Sequence, residues 1–251
     1  MQQQDDARVR DSSTSVGMTK KLFRSLVVYE DVVPRSAAMN MAIDEALLEI
    51  ACAPTIRFYR WDHDALSFGY FGRFSDVARF EGERELVRRW TGGGIVFHGE
   101  DLTYSITIPS SEPAFAGSTM SIYEKVHRGL CEALAGTGHQ AIVAAEADRS
   151  QVRKRHAAVD GSGSNCFTNP VRADVMLNDR KIAGAAQRRT NCGLLQQGSI
   201  QNVDVENGLA ERFAQSLSRI SESREFNEEI LVRAREIAER KYGTNAWLRK
   251  R

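Results

Sequence analysis

The chain has 251 residues, with 34 basic against 33 acidic side chains, so it carries no net field of the kind that drives non-specific nucleic-acid binding. Its four cysteines, Cys52, Cys131, Cys166 and Cys192, form no CxxC pair and have no histidine at metal-ligand spacing, which excludes a zinc ribbon or disulfide framework and fits a reducing, cytoplasmic setting. No apolar run approaches the roughly 18 residues of a membrane span, and the polar start Met1-Gln2-Gln3-Gln4-Asp5-Asp6 is unlike a signal peptide.

Residues 1–24 are polar and aperiodic and read as a disordered tail, with 25–251 as a single domain. Leu26 to Val33 reads as a strand running up to Pro34. Ser36 then caps a helix whose Met39, Ile43, Ala46, Leu47 and Ile50 recur at helical spacing, leaving Asn40, Asp44 and Glu45 on other faces. Thr55 to Trp61 alternates as a half-buried strand, with Ala65 to Tyr70 as its expected partner across a polar turn. Ser75 opens a short helix. Glu85 to Trp90 leads into Gly92-Gly93-Gly94, after which Ile95 to Phe97 and Leu102 to Ile108 are expected to form a hairpin around Gly99-Glu100.

Further along, Ser121 and Glu124 suggest a capping box for a helix ending at Gly136 or Gly138. A short strand from Ala141 to Ala145 follows. Residues 146–165 hold a basic run, Arg149, Arg153, Lys154, Arg155 and His156, then a turn-rich stretch, and read as a solvated face or a surface for an acidic partner. Arg172 to Leu177, the turn Asn178-Asp179 and Arg180 to Gln187 form a hairpin that Gly193 to Ile200 extends into a meander. Leu209 to Leu217 and then Phe226, Ile230, Ala234, Ile237 and Ala238 are helical, with Gly243 as the final cap. Hairpins rather than regular βαβ units predict an α+β fold with a mixed, largely antiparallel sheet flanked by helices.

Chemistry concentrates in three places. Three adjacent glycines suit either a tight turn or the close approach of a ligand to backbone, and no helix follows them, so neither a dinucleotide fingerprint nor a phosphate loop is present. Of Arg88 and Arg89, alternation along a strand lets at most one face a ligand. Lys181 could be an ordinary exposed strand lysine, but the small residues Ala183, Gly184, Ala185 and Ala186 leave room for a pocket beside it. Cys166 follows a glycine-serine run, and an ammonium such as that of Lys181 would favour its thiolate. Cys131 falls in a helix stripe and reads as structural. His98, at a strand end, is a hydrogen-bonding group or a base.

Together these blocks resemble the catalytic domain of the biotin/lipoate protein ligase family, in its lipoate branch. The resemblance covers about residues 25 to 248 and rests on Arg88 to His98 with Leu102-Thr103-Tyr104-Ser105, on Arg180 to Gln187, and on Gln196-Gln197-Gly198-Ser199-Ile200. Within the branch, Cys166-Phe167 upstream of Lys181 is similar to the cysteine octanoyltransferases. No arginine-asparagine-aspartate triplet of the ligase type occurs, while Gly94 and Gln197 stand where those transferases often carry arginine and histidine.

The resemblance implies a catalytic pair, Cys166 and Lys181. It also implies a substrate cradle of Arg89, Gly92, Gly93, Gly94, Ile95, Val96, Phe97, His98, Gly184 and Ala185, with Ile95 and Phe97 as apolar walls and Arg89 meeting acidic carriers. The implied reaction takes an octanoyl or lipoyl group from acyl carrier protein through a Cys166 thioester to a lysine of a lipoyl-domain protein, such as glycine cleavage H protein or a dehydrogenase E2 subunit. It needs no cofactor or metal. The alternatives are an ATP- and Mg²⁺-dependent lipoate ligase forming lipoyl-AMP, and a non-catalytic acyl-binding regulator.

Overall fold

The computed structural model describes residues 21–144, 171–206 and 208–250. Strand β1 (Phe23–Arg35) is followed by helix α1 (Ala37–Ile50), β2 (Thr55–Trp61) and β3 (Ala65–Phe68). Next come β4 (Glu85–Arg88), β5 (Val96–His98), β6 (Leu102–Pro109), α2 (Thr119–Ala135) and β7 (Ile142–Val143). The remainder is β8 (Val175–Leu177), β9 (Arg180–Arg189), β10 (Gly193–Ile200), α3 (Leu209–Leu217), β11 (Ser218–Ser223), α4 (Glu228–Ile237) and α5 (Asn245–Leu248).

Eight strands form one mixed sheet in the order β11-β1-β2-β6-β10-β9-β8-β7, parallel at β11-β1-β2 and antiparallel beyond. On one face, Ile122, Val126 and Leu130 of α2 and Phe213 and Leu217 of α3 bury against Ile56, Phe58, Tyr104, Ile106 and Leu194. On the other, Met41, Ile43 and Leu47 of α1 pack with Ile230, Ala234 and Ile237 of α4 against Tyr29, Tyr59 and Trp61. Covered on both faces, β2 and β6 are almost wholly buried. No helix among the described residues is long and apolar enough to cross a membrane.

Several local readings change. Ala65–Phe68 does not pair with β2; it is the centre of a separate three-stranded sheet, β4-β3-β5. The expected hairpin of 95–108 therefore splits, because β5 joins β3 while β6 joins β2 and β10 of the large sheet. The Gly99-Glu100 turn is thus the passage from the small sheet to the large one, while the glycine loop joins β4 to β5 within the small sheet. The cap of α2 is Ser118, whose Oγ accepts from Ser121 N at 3.1 Å, not Ser121 with Glu124. The Ser75 helix is a pair of short 3₁₀ turns.

Asn40, Asp44 and Glu45, off the apolar stripe, are nonetheless buried, at 0, 0 and 8% exposure. Asn40 and Asp44 meet the guanidinium of Arg57, itself fully buried on β2, whereas Glu45 pairs with Lys241. Arg57 donates to Asp31 Oδ2 at 2.7 Å, Asp44 Oδ1 at 2.9 Å and Asn40 Oδ1 at 2.6 Å. Asp44 also accepts from Tyr59, Ser105 and Gln197. Gln197 in turn accepts from Thr91 Oγ1 at 2.7 Å, at the root of the glycine loop. One buried network therefore connects helix, large sheet and loop.

Candidate active site

A half-open cleft, with about 440 Å³ of empty space counted out into solvent, lies where the glycine loop faces β9 and β10, and its lining is mostly apolar. Arg89, Gly93, Val96, His98, Lys181, Gly184 and Ala185 all border it, from two separate stretches of backbone. Gly92 and Gly94 contribute differently. Their carbonyls accept from Arg89 Nη2 at 3.1 and 2.7 Å, so the guanidinium braces the loop from inside. Only 6% exposed, Arg89 is not placed to meet a carrier protein at the rim. Arg88, pointing the opposite way, donates to the carbonyls of Tyr70, Gly72, Trp247 and Leu248 and anchors the chain's last helix.

Ile95 and Phe97 turn away from the cleft and pack around Leu66, Phe68, Phe74 and Val77. Strand alternation from Val96 accounts for this, since Val96 and His98 share the cleft side of β5. The walls come instead from Met41 on α1 and Tyr59 and Trp61 on β2, which local sequence did not flag, and from Ala186, Gln197 and Ser199 on the meander.

Polar groups at one end are gathered on Asp101. Its Oδ2 accepts from His98 Nδ1 at 2.8 Å, Thr103 Oγ1 at 2.9 Å and Ser199 Oγ at 2.6 Å. Hydroxyls that border the cleft are thereby aimed into the wall, which leaves mainly carbon facing the cavity. Burial holds the His98 imidazole below its ordinary pKa, against the opposing pull of Asp101. A neutral ring with Nδ1–H toward Asp101 leaves Nε2 to accept from Ser67 Oγ at 2.6 Å, and Trp61 stacks on it with centroids 4.0 Å apart.

Lys181 is reached by another route. Pairing between β8 and β9 shifts register between Val175–Ala183 and Met176–Lys181, so Ile182 is an extra residue and Lys181 comes to the same side of β9 as Gly184. A Cβ on Gly184 would lie 2.5 Å from Lys181 Cε and 2.6 Å from Nζ, so the absent side chain is what lets the amine fold over the strand. Nζ pairs with Asp174 Oδ2 at 2.8 Å, and both groups are buried. Asp174 is held by Tyr123 OH at 2.6 Å and Val171 N at 2.7 Å.

The residue before Asp174 is Ala173, in the left-handed region at φ 68. A non-glycine residue there requires support from its surroundings. His127 supplies it, donating from Nδ1 to Ala173 O at 2.5 Å while Nε2 accepts from Tyr104 OH at 2.9 Å. Burial pushes His127 down to about 4 from an ordinary 6.5. A depressed histidine favours the folded state above the unfolded pKa and loses that advantage as pH falls through the folded value. Stability should therefore drop by about 3 kcal/mol between pH 6.5 and pH 4. Urea titrations across that range should show the slope, and His127→Gln should flatten most of it; an unchanged slope in the variant would place the acid sensitivity elsewhere.

Cys166 and the basic run at 149–156 lie outside the described residues. Of the other cysteines, Cys131 is partly buried, and burial pushes its thiol up to about 11, unsuited to nucleophilic chemistry at neutral pH. Cys52 and Cys192 are exposed.

Residues 36–238 match the family model of the lipoyl protein ligase A/B catalytic domain. The chain belongs to that family. Octanoyltransferase LipM of Bacillus anthracis is 33% identical over 230 residues, covering 80% of this chain and 81% of that protein. The LipM of Staphylococcus epidermidis is 36% identical over 179 residues, 66% of this chain but only 63% of the relative's own length. Among solved structures, lipoate-protein ligase A bound with ATP superimposes with a TM-score of 0.68 at 21% identity, over 90% of this chain and 98% of that one. A bi-partite lipoate protein ligase from Thermoplasma acidophilum gives 0.65 at 20% identity, over 90% and 95%. These likenesses establish the α+β ligase-type fold; in this family member the glycine loop, Lys181 and the meander converge on one cleft.

Proposed function

We propose that the chain is an octanoyltransferase that moves an octanoyl group from acyl carrier protein, through a thioester on Cys166, to a lysine of a lipoyl-domain protein. The observation that carries this reading is the apolar cleft bordered by the buried, carboxylate-anchored amine of Lys181, in a chain whose relatives are named octanoyltransferase LipM. An octanoyl chain offers no hydrogen-bonding group beyond its carbonyl. It suits a cavity whose hydroxyls are already committed to Asp101.

In the first half-reaction the Cys166 thiolate attacks the donor carbonyl. A C–S bond forms to the enzyme, the bond to the carrier's sulfur breaks, and that thiolate leaves and takes a proton. The Lys181 ammonium favours the cysteine thiolate and orients the acyl carbonyl, and backbone N–H groups stabilise the oxyanion. In the second, the acceptor lysine's neutral amine attacks the enzyme thioester. The C–N bond forms, the cysteine leaves as thiolate, and the amine's proton is released. Thioester to amide is downhill, so neither ATP nor a metal is required. Such a reaction belongs in the cytoplasm, where carrier and acceptor proteins meet.

Incubation with octanoyl-carrier protein, read by intact-protein mass spectrometry, should show one octanoyl adduct that Cys166→Ser abolishes. Lys181→Met should slow adduct formation by roughly 10²-fold or more, the scale of losing an electrostatic stabiliser. Full transfer by Cys166→Ser, or transfer that depends on ATP, would overturn the reading.

A further inference from the structure

Beyond the cleft, on the same side of β9, lies a group of cations that the proposed chemistry does not use. Arg188 follows Gly184 and Ala186 at two-residue steps, so its side chain leaves the strand on the face that borders the cleft. Its guanidinium is placed over two rings, 5.3 Å from the centroid of Tyr70 and 5.0 Å from that of Trp90. Its Nε is buried and has no hydrogen-bond partner among the described residues. Buried donors are almost always paired, so an orphan beside a substrate cleft points to a partner that arrives with the substrate.

The surroundings narrow what that partner is. Lys241 Nζ lies 4.3 Å from the Trp90 centroid and 4.5 Å from that of Trp247, and Lys250 lies 5.0 Å from Tyr70 and from Trp247. Against these three cations stands the carboxylate of Glu45, paired with Lys241 at 2.6 Å. Among the described residues neither Arg188 nor Lys250 has a carboxylate within ion-pair reach. A local excess of positive charge, on a floor of aromatic rings and with a forked donor at its centre, suits an oxyanion such as phosphate. The rings are tied to the glycine loop, since Tyr70 N donates to Thr91 O at 2.8 Å.

Distance along the strand gives the rest. Lys181 Nζ folds back over Gly184, and Arg188 is four residues further, roughly 13 Å at strand rise. A pantetheine arm spans such a gap between its sulfur and its phosphate. We propose that Arg188, in the field of Lys241 and Lys250, binds the phosphate ester of the donor's pantetheine arm, so that the enzyme selects phosphorylated thioesters. This rests on the transferase reading. A nucleotide phosphate shares the chemistry, and the test separates the two.

Thioether analogues cannot react, so calorimetry on the full chain reads binding alone. S-octyl-phosphopantetheine should bind roughly tenfold to a hundredfold tighter than S-octyl-pantetheine, the range of a charged hydrogen bond. Arg188→Gln should erase that gap without changing affinity for the unphosphorylated ligand, and Arg188→Lys should restore part of it. Equal affinities in the wild-type protein, or a gap that survives in Arg188→Gln, overturn the assignment. So does octyl adenosine 5′-phosphate binding tighter than S-octyl-phosphopantetheine, which would make the site a nucleotide's. A phosphate preference in a protein that turns over no octanoyl thioester would instead defeat the transferase reading, and with it the donor's arm as the occupant, whereas equal affinities in a protein that does turn over the thioester defeat this assignment alone.

Discussion

Arg57→Met should destabilise the protein by about 3–5 kcal/mol, the scale of breaking a buried ion pair by removing one partner. Arg57 is fully buried and neutralises two carboxylates, Asp31 and Asp44, that are themselves out of water. Methionine fills comparable space but removes the cation from Asp44 and leaves Asp31 only the partly exposed Arg35, 2.8 Å away. Domains of this kind are stable by only about 5–15 kcal/mol, so much of the total is at stake. Urea unfolding at neutral pH measures it, and a loss below about 1 kcal/mol, the worth of an exposed pair, would show that water relieves the two acids. The effect should reach the cleft as well, because Asp44 holds Gln197 and Gln197 holds Thr91.

This network also shows where local sequence stops being informative. Helix α1 was legible from its apolar spacing and from Ser36, whose Oγ caps Met39 N at 3.3 Å. The burial of Asn40 and Asp44 on that helix was not, because it depends on an arginine 13 residues beyond Asp44, on a strand whose neighbours are set by long-range pairing. The 178–179 hairpin was readable, and both its turn residues take positive φ, 49 and 61, despite lacking the Asn-Gly pair. The partner of Ala65–Phe68 was not readable, since a short apolar run says nothing of which sheet it joins. The cleft shows the same division. Gly93, Val96, His98 and Lys181 border it, and all stand in motifs visible in the chain. Met41, Tyr59 and Trp61 read as ordinary core positions, and only the fold turns them toward a cavity. Ile95 and Phe97, apolar and beside the glycines, were natural wall candidates until the strand phase of β5 placed them on its other side.

Gly69→Ala should do more damage to the site than a change at one of the three motif glycines. A Cβ on Gly69 would lie 2.1 Å from Gly93 O and 2.6 Å from Gly92 C and O, all backbone atoms with no rotamer to move. At Gly92, by contrast, a Cβ meets nothing within 4 Å among the described residues. The glycine loop is therefore seated on a glycine outside its own motif, at the end of β3, and adding a methyl group there must push the loop off its bed. Overpacking of this kind costs about 1–3 kcal/mol of stability. The catalytic cost should be larger, since a displacement of about 1 Å in a positioning element can lower a rate by about 10²-fold. Arg89 would be carried with the loop, because its guanidinium holds the carbonyls of Gly92 and Gly94. Single-turnover acylation from octanoyl-carrier protein, measured beside urea unfolding, separates the two costs. Gly92→Ala should keep its stability within about 0.5 kcal/mol of wild type, whereas Gly69→Ala should acylate slowly even under conditions where it is fully folded. If Gly69→Ala acylates at the wild-type rate, the loop's seat on β3 does not set the geometry of the cleft, and its position is governed by Arg89 and Thr91 alone.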